Sequence, residues 1–596
     1  MSHCISRLYT VPRRTPQQPR LRVLVCALVA AGACTAHAQT LPDAGSVLRE
    51  LERQQRQAAP APSAPSSAKP AATPAAATMA PASDVRFVVK SFALQGVTLV
   101  SEAAVQAVLS PWLNRPIDFA ELEQALQAVA ALYQSQGWLA RAQLPEQTLD
   151  EQAEVRVQVI EARIGQAQLA QQLADGQSEG SRRLPMQRLP MQRLQRLLQT
   201  QLPAGRPLRL PDYERALSLV NETPGVSASA SLAASDTPGA TDIVVAVQDR
   251  GWGSAALVYD NGGSRSTAAD RLNAQLSLDN PLRLGDQFML NLMATEGVDY
   301  QRLAYHMPVG HQGWRMGVNA AHMRYRLLGA FTTSDSYGDT QVLGGSALWP
   351  WLRGAQGHAT LSLQAERKQF HNVVTGLSDA RKTLHSLQAG LNGDRADALG
   401  DGGSTSWGLN FTAGRLALHT EADRKQDSAG PQTEGGFGKV TASAARLQRW
   451  GGSHALWLSW NGQYATRNLD SSEKFSLGGP QGVRAYPASE ATGDHGWLAT
   501  AEWRYSLSAQ WQWSGFYDHG SVRVQHRPYG QSTGPQQVEL RGYGMGLAWT
   551  HSPRGSVRLT LARRVGTNPL ANTTTAADSD GSLRRNRLWL SATLNF

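Results

Sequence analysis

Several things are scarce in this chain, and each scarcity removes a class of function. Its only cysteines are Cys4, Cys26 and Cys34. All three fall within a stretch that reads as a removable presequence, so no disulfide, thiolate metal site or cysteine nucleophile is expected in the mature protein. Charged residues make up only 17% of the chain, yet the mean hydropathy is −0.35, too polar for a bundle of membrane helices. A membrane protein of this composition must be a barrel. The phosphate-cradling pattern GxxxxGK[ST] is missing, as is HExxH. His306, His311 and His322 are strung along expected strands and loops with no matched carboxylate pair, so no catalytic residue, metal site or cofactor is expected. The net charge of +10 comes without basic runs interleaved with aromatics, which argues against nucleic acid and for solvated surface and pore lining.

What is present is ordered along 596 residues, enough for two or more domains. Residues 1–38 carry Arg13, Arg14, Arg20 and Arg22, an apolar run over 24–31 and Ala36-His37-Ala38. That pattern is a secretory signal peptide cut before Gln39. The run is too short to span ~30 Å of hydrocarbon, and Ala31-Gly32-Ala33-Cys34 lacks the leucine usual in a lipoprotein site. Residues 39–58 form an expected helix with a cap at Asp43. Residues 59–84 are almost only Pro, Ala, Ser and Thr, the composition of an extended tether. Two similar α/β modules follow, over 85–163 and 164–250, with strands expected at Val85–Leu94, Ala153–Ile160 and Asp242–Val247. Between them LPMQR occurs twice, read as a small duplication in a loop.

From 251 to 596 the texture changes to short alternating segments broken by Gly, Asn, Asp and Ser. Leu272, Ala274, Leu276 and Leu278 share one face; Ala359, Leu361, Leu363 and Ala365 repeat the pattern, as do Leu456, Leu458 and Trp460. The chain ends with Leu588, Leu590, Ala592, Leu594 and Phe596 in phase at period two. A terminal aromatic on the lipid side is the ending of an outer-membrane barrel and its assembly signal. In lipid a free strand edge cannot be satisfied, so the last strand must pair with the first. At ~9–11 residues per strand plus a connection, the region holds roughly sixteen strands, enough to enclose an aqueous pore.

The string FSLGGPQGVRAYPASEATGDHGWLATAEWRY from Phe475 resembles the two-partner secretion translocators, called TpsB (the ShlB/FhaC/HecB family), typified by the activators of secreted haemolysins and filamentous haemagglutinins. DNPLRLGD at 279–286, HMPVGHQGWRMGVNAAHMRYRL from His306, Phe516-Tyr517-Asp518-His519-Gly520 and the terminal Phe596 are similar to family landmarks in the same order. Phe92-x-Leu94-x-Gly96, Gly137-Trp138 and NETPGV from Asn221 look like the two periplasmic POTRA modules of that family. The resemblance implies a sixteen-stranded antiparallel transmembrane barrel in the outer membrane of a Gram-negative cell, preceded by a plug helix, a linker and two periplasmic α/β POTRA domains. It also implies that Val483-Arg484-Ala485-Tyr486-Pro487 is the tip of a long extracellular loop folded into the pore, where Arg484 meets Asp518. An arginine fork matches a carboxylate, although Arg484 taken alone also fits a solvated loop charge. Ala485 stands where many relatives have Gly, which puts an identical tip backbone in doubt.

By that resemblance the protein is a translocator. POTRA domains capture an unfolded exoprotein (TpsA-like, of the haemolysin or adhesin class) and the barrel passes it outward. Other expected partners are outer-membrane lipid and, during biogenesis, the barrel-assembly machinery. The alternative of the same superfamily is a barrel-assembly insertase, against which stand the two modules and the N-terminal helix with its tether. A passive porin carries no such periplasmic modules.

Overall fold

The computed structural model describes residues 42–58, 86–147, 154–171, 189–237, 239–329, 335–530, 534–551 and 554–596. The expected signal peptide, the tether and the first LPMQR copy lie outside these residues. Among the described residues no helix is long and apolar enough to cross a membrane. Crossing is done by strands.

Sixteen antiparallel strands, from Gly253–Asp260 to Asn586–Asn595, follow one another around a closed barrel. Closure runs from Ser591 opposite Asp260 to Asn595 opposite Ala256. It is extended by Phe596, whose N–H donates to the Ala255 carbonyl at 2.8 Å. The alternation read from the sequence is the inside–outside alternation of the wall: Leu272, Leu363, Leu458 and Leu588 are all exposed on the outer face, as lipid-facing positions must be. Strands such as Ser336–Gly354 and Ser378–Asp397 have 19 and 20 residues. That is about twice what a membrane needs, so this side of the wall rises well beyond the bilayer at the end away from the modules.

The two modules repeat one plan. In the first, strand Ser91–Gln95 lies parallel to Glu154–Glu161, which is also flanked antiparallel by Ala140–Gln143. Helices α2 (Glu102–Leu109) and α3 (Phe119–Ser135) cover this sheet. In the second, Arg163–Gln171 lies parallel to Ala240–Asp249, flanked by Val226–Ala234, beneath α4 (Met191–Gln201) and α5 (Leu210–Asn221). A reciprocal capping box between Asp118 and Glu121 starts α3, satisfying N–H groups that would otherwise lack partners. The strand expected at Val85–Leu94 is two pieces, with Phe87–Val88 leaving the sheet to pair with Pro116–Ile117. The second LPMQR copy is not loop throughout: Met191, Gln192 and Arg193 open α4.

The second module is seated on the barrel. Arg215 donates to the carbonyls of Pro350 at 2.7 Å and Gln312 at 3.2 Å, and Glu214 accepts from the Ala355 N–H at 2.8 Å. Arg353 of the wall forms an ion pair with Glu222, and Arg193 reaches the Gly310 carbonyl at 2.5 Å. The short turns of the barrel at this end therefore dock on α4 and α5.

Candidate functional site: an occupied lumen

Sixteen strands leave a lumen too wide for side chains alone to fill. Two pieces of chain occupy it. The first is α1 (Ala44–Ala58). Asp43 caps it, accepting from the Ser46 N–H at 2.9 Å while its own N–H donates to the Ser46 hydroxyl at 3.0 Å. Ala44, Leu48 and Leu51 fall at helical spacing and bury a stripe among Met293, Tyr300, Met323, Tyr325 and Phe370 of the inner wall. A Cβ on Gly45 would come within 2.5 Å of the Ser471 hydroxyl, so a side chain here would push aside the hydroxyl that donates to Asp43.

The polar faces of α1 are pinned by charge. Lys382 of the wall sits 2.9 Å from Asp43 and 2.6 Å from Asp470. Lys368 donates to both carboxylate oxygens of Glu52, at 2.9 and 3.0 Å. On another face Arg49 donates to the Ser471 carbonyl at 2.5 Å, Arg53 to those of Ser476 at 2.9 Å and Gly478 at 2.8 Å, and Glu50 accepts from the Ser489 hydroxyl at 3.0 Å. Burial alone would raise the Asp43 carboxyl. The neighbouring Lys382 ammonium and the Ser471 hydroxyl outweigh it and hold Asp43 well below the usual carboxylate range.

The second occupant is the segment between barrel strands His454–Ala465 and His495–Ser506, which carries Val483 to Pro487. Val483, Ala485 and Tyr486 are buried in an apolar cluster with Leu477, Phe516, Leu540 and Ala562. Arg484 donates through Nε and Nη2 to the two oxygens of Asp518, at 2.9 and 2.8 Å, and its backbone N–H adds a third bond to the same carboxylate at 3.1 Å. Nη1 donates to Glu502 at 2.7 Å, the guanidinium stacks 3.3 Å from the Phe516 ring centre, and the Arg484 carbonyl accepts from the Trp589 indole at 2.7 Å. Thr500 completes the Asp518 shell with a 3.0 Å bond. Asp518 is 0% exposed, so this is a dry, fully paired charge cluster, whereas a loop charge in open lumen would be hydrated.

Ala485, where many relatives of the resembled family have Gly, is accommodated. Left-handed backbone in this segment falls at Gly479 and Ser489. Space for the Ala485 methyl comes from the wall instead: a Cβ on Gly542 would lie 2.6 Å from it. Glu502 is given no role by the sequence, and Phe516 is marked only as the first residue of the Phe516–Gly520 landmark. They are direct cross-strand partners on the inner face, a relation visible only once register is known. Lys368 and Lys382 were missed for the same reason. His306 and His322 face opposite sides of the wall, and among the described residues no group of three or more His, Cys, Asp or Glu is placed to hold a metal.

A closed barrel, two stacked POTRA modules on its short-turn end, and a helix and an inturned loop in its bore define an outer-membrane translocator whose modules lie in the periplasm. The family is shown by sequence. The chain belongs to the haemolysin secretion/activation proteins of the ShlB/FhaC/HecB family, whose model matches residues 239–549, and residues 87–162 match the ShlB-type POTRA domain. It is 25% identical over 571 residues to the heme/hemopexin transporter protein HuxB of Haemophilus influenzae, covering 93% of this chain and 95% of that protein. To the outer membrane transporter CdiB of Dickeya dadantii it is 24% identical over 431 residues, 70% of this chain and 71% of that one. Among solved structures, CdiB from Escherichia coli has the same fold, with a TM-score of 0.66 at 21% identity over 94% of this chain and all of that one. The protein is thus a two-partner secretion translocator of the outer membrane, acting on a secreted partner of the TpsA type.

Proposed function

We propose that secretion proceeds by capture of the extended partner on the POTRA sheets, displacement of α1 from the lumen, and passage along a wall whose inturned loop stays fixed through Arg484 and Asp518. The observation that carries this reading is the occupied lumen: α1 is held by side-chain contacts to wall and loop, and it joins the rest of the chain only through a Pro/Ala-rich segment. The strand Val226–Ala234 sits at the edge of its sheet, and its small side chains would let an extended client add alongside through main-chain bonds. HuxB by name handles heme/hemopexin and HpmB of Proteus mirabilis haemolysin. The client here is accordingly read as a large exoprotein of the haemolysin or adhesin class, folding outside the cell and so giving export its direction. Phe596, beside the closing seam, is read as the signal to the barrel-assembly machinery.

Deleting residues 85–250 tests the division of labour. The truncated barrel should insert, shown by heat-modifiable migration on gels, while extracellular client falls to background. Normal export without the modules would sink the assignment.

A further inference from the structure

The outer face of the long-stranded wall carries an unusual row. Cross-strand register places Leu343, Arg367, His385 and Arg415 side by side on four consecutive strands. Three of the four are basic, and directly opposed like charges destabilise a sheet unless something neutralises them. Two rows further from the periplasm the neutralisation is internal: His371 lies 3.2 Å from Asp339 and 2.9 Å from Asp379, which also pairs with Arg381. Arg367, His385 and Arg415 have no hydrogen bond or ion pair among the described residues, and all three are exposed.

On the periplasmic side of this row the wall is hollowed. The next row runs Val318, Gly345, Ala365, Leu387 and Ala413, so Gly345 and Ala365 form a low floor between the taller Val318 and Leu387, Ala413 lies low beyond Leu387, and Arg367, His385 and Arg415 close the upper edge. The hollow has a volume of about 780 Å³. It lies in the apolar, lipid-facing band, open toward the bilayer. Its basic edge is on the extracellular side, because the modules and short turns mark the other end. An occupant must therefore have acyl chains below and more than one negative charge above, at the level of the outer-leaflet headgroups.

We propose that this hollow binds a phosphorylated, multiply acylated glycolipid of the outer leaflet, lipid A, with its phosphates on Arg367, His385 and Arg415 and its acyl chains over Ala365 and Ala413 on either side of Leu387. The full chain in neutral detergent, titrated with bis-phosphorylated lipid A and followed by native mass spectrometry, tests this. The triple substitution Arg367→Gln, His385→Gln, Arg415→Gln should weaken binding ~10-fold or more while migration on gels stays heat-modifiable. Arg381→Gln, whose cation is already paired, should leave binding unchanged. Filling the floor with Ala365→Leu and Ala413→Leu keeps every charge and should also weaken binding, which preserves the test if the triple variant does not assemble. Unchanged affinity in the floor variant or the triple variant overturns the proposal, as does equal binding of dephosphorylated lipid A. Phosphatidylglycerol bound as tightly as lipid A would overturn the assignment to the outer leaflet.

Discussion

The two occupants of the lumen are held by different physics. The loop tip is anchored at both ends to the wall and buries one guanidinium against two carboxylates, an aromatic face and a cluster of apolar side chains. α1 buries a narrow stripe of three residues, and most of its remaining holds are ion pairs and bonds from arginine to loop carbonyls. Removing one member of a dry charge cluster strands the others, at a cost of ~3–5 kcal/mol. The ion pairs of α1 are just as buried, Lys368 being 4% exposed, but they are spread over several wall and loop residues, and only one end of α1 continues into the rest of the folded chain, through the tether. In the proposed mechanism the loop is accordingly the fixture and α1 the movable part.

The largest effect is expected at the fixture. Arg484→Ala leaves the buried Asp518 without a cation and Glu502 with Arg504 alone, so secretion should fall ~10-fold or more with the barrel still assembled, read as extracellular client against heat-modifiable migration. Asp518→Asn should be milder, because Arg484 keeps Glu502, and Arg484→Lys should rescue poorly for want of the planar fork. Equal losses for Arg484→Ala and Asp518→Asn would break the two-carboxylate account.

Next comes α1. Deleting residues 42–58 should raise planar-bilayer conductance, whereas Arg484→Ala should raise it less. Lys382→Met, which strips Asp43 and Asp470 of their cation, should give an intermediate conductance, equivalent to weakening docking by ~1–3 kcal/mol. A conductance identical to wild type in the deletion would count against α1 as the obstruction.

The smallest effect is that of pH. The Asp43 carboxyl is depressed when α1 is docked, so its contribution is fully present above the ordinary aspartate value of about 3.9. That contribution is lost only as pH falls through the depressed value. Conductance should therefore stay flat from neutrality into mild acid and rise only below that window. A rise near neutrality would point to a different latch.

Much of this was legible in the sequence, and the exceptions share a cause. Strict alternation around Leu272, Leu361 and Leu588 exposed the barrel because lipid outside and water inside impose opposite demands on neighbouring residues. The Ala- and Gln-rich strand Arg163–Gln171 and the Ala- and Ser-rich strand Val226–Ala234 were passed over because those residues have little β-propensity and owe their strand state to tertiary pairing. Glu502 belongs with Arg484 only because it faces Phe516 across one rung of the ladder. Lys368 meets Glu52 across more than 300 positions of chain. Local pattern shows which face a residue takes, while its distant partner is set by register and closure.

The covalent attachment of α1 has a consequence best put as a concentration. Residues 59–86 allow a displaced α1 to wander no more than ~90–100 Å, so it persists near the bore at an effective concentration on the order of millimolar. In the proposed mechanism a passing client competes against its own translocator's built-in ligand, and the tethered helix is poised to re-enter the bore once the last segment clears it.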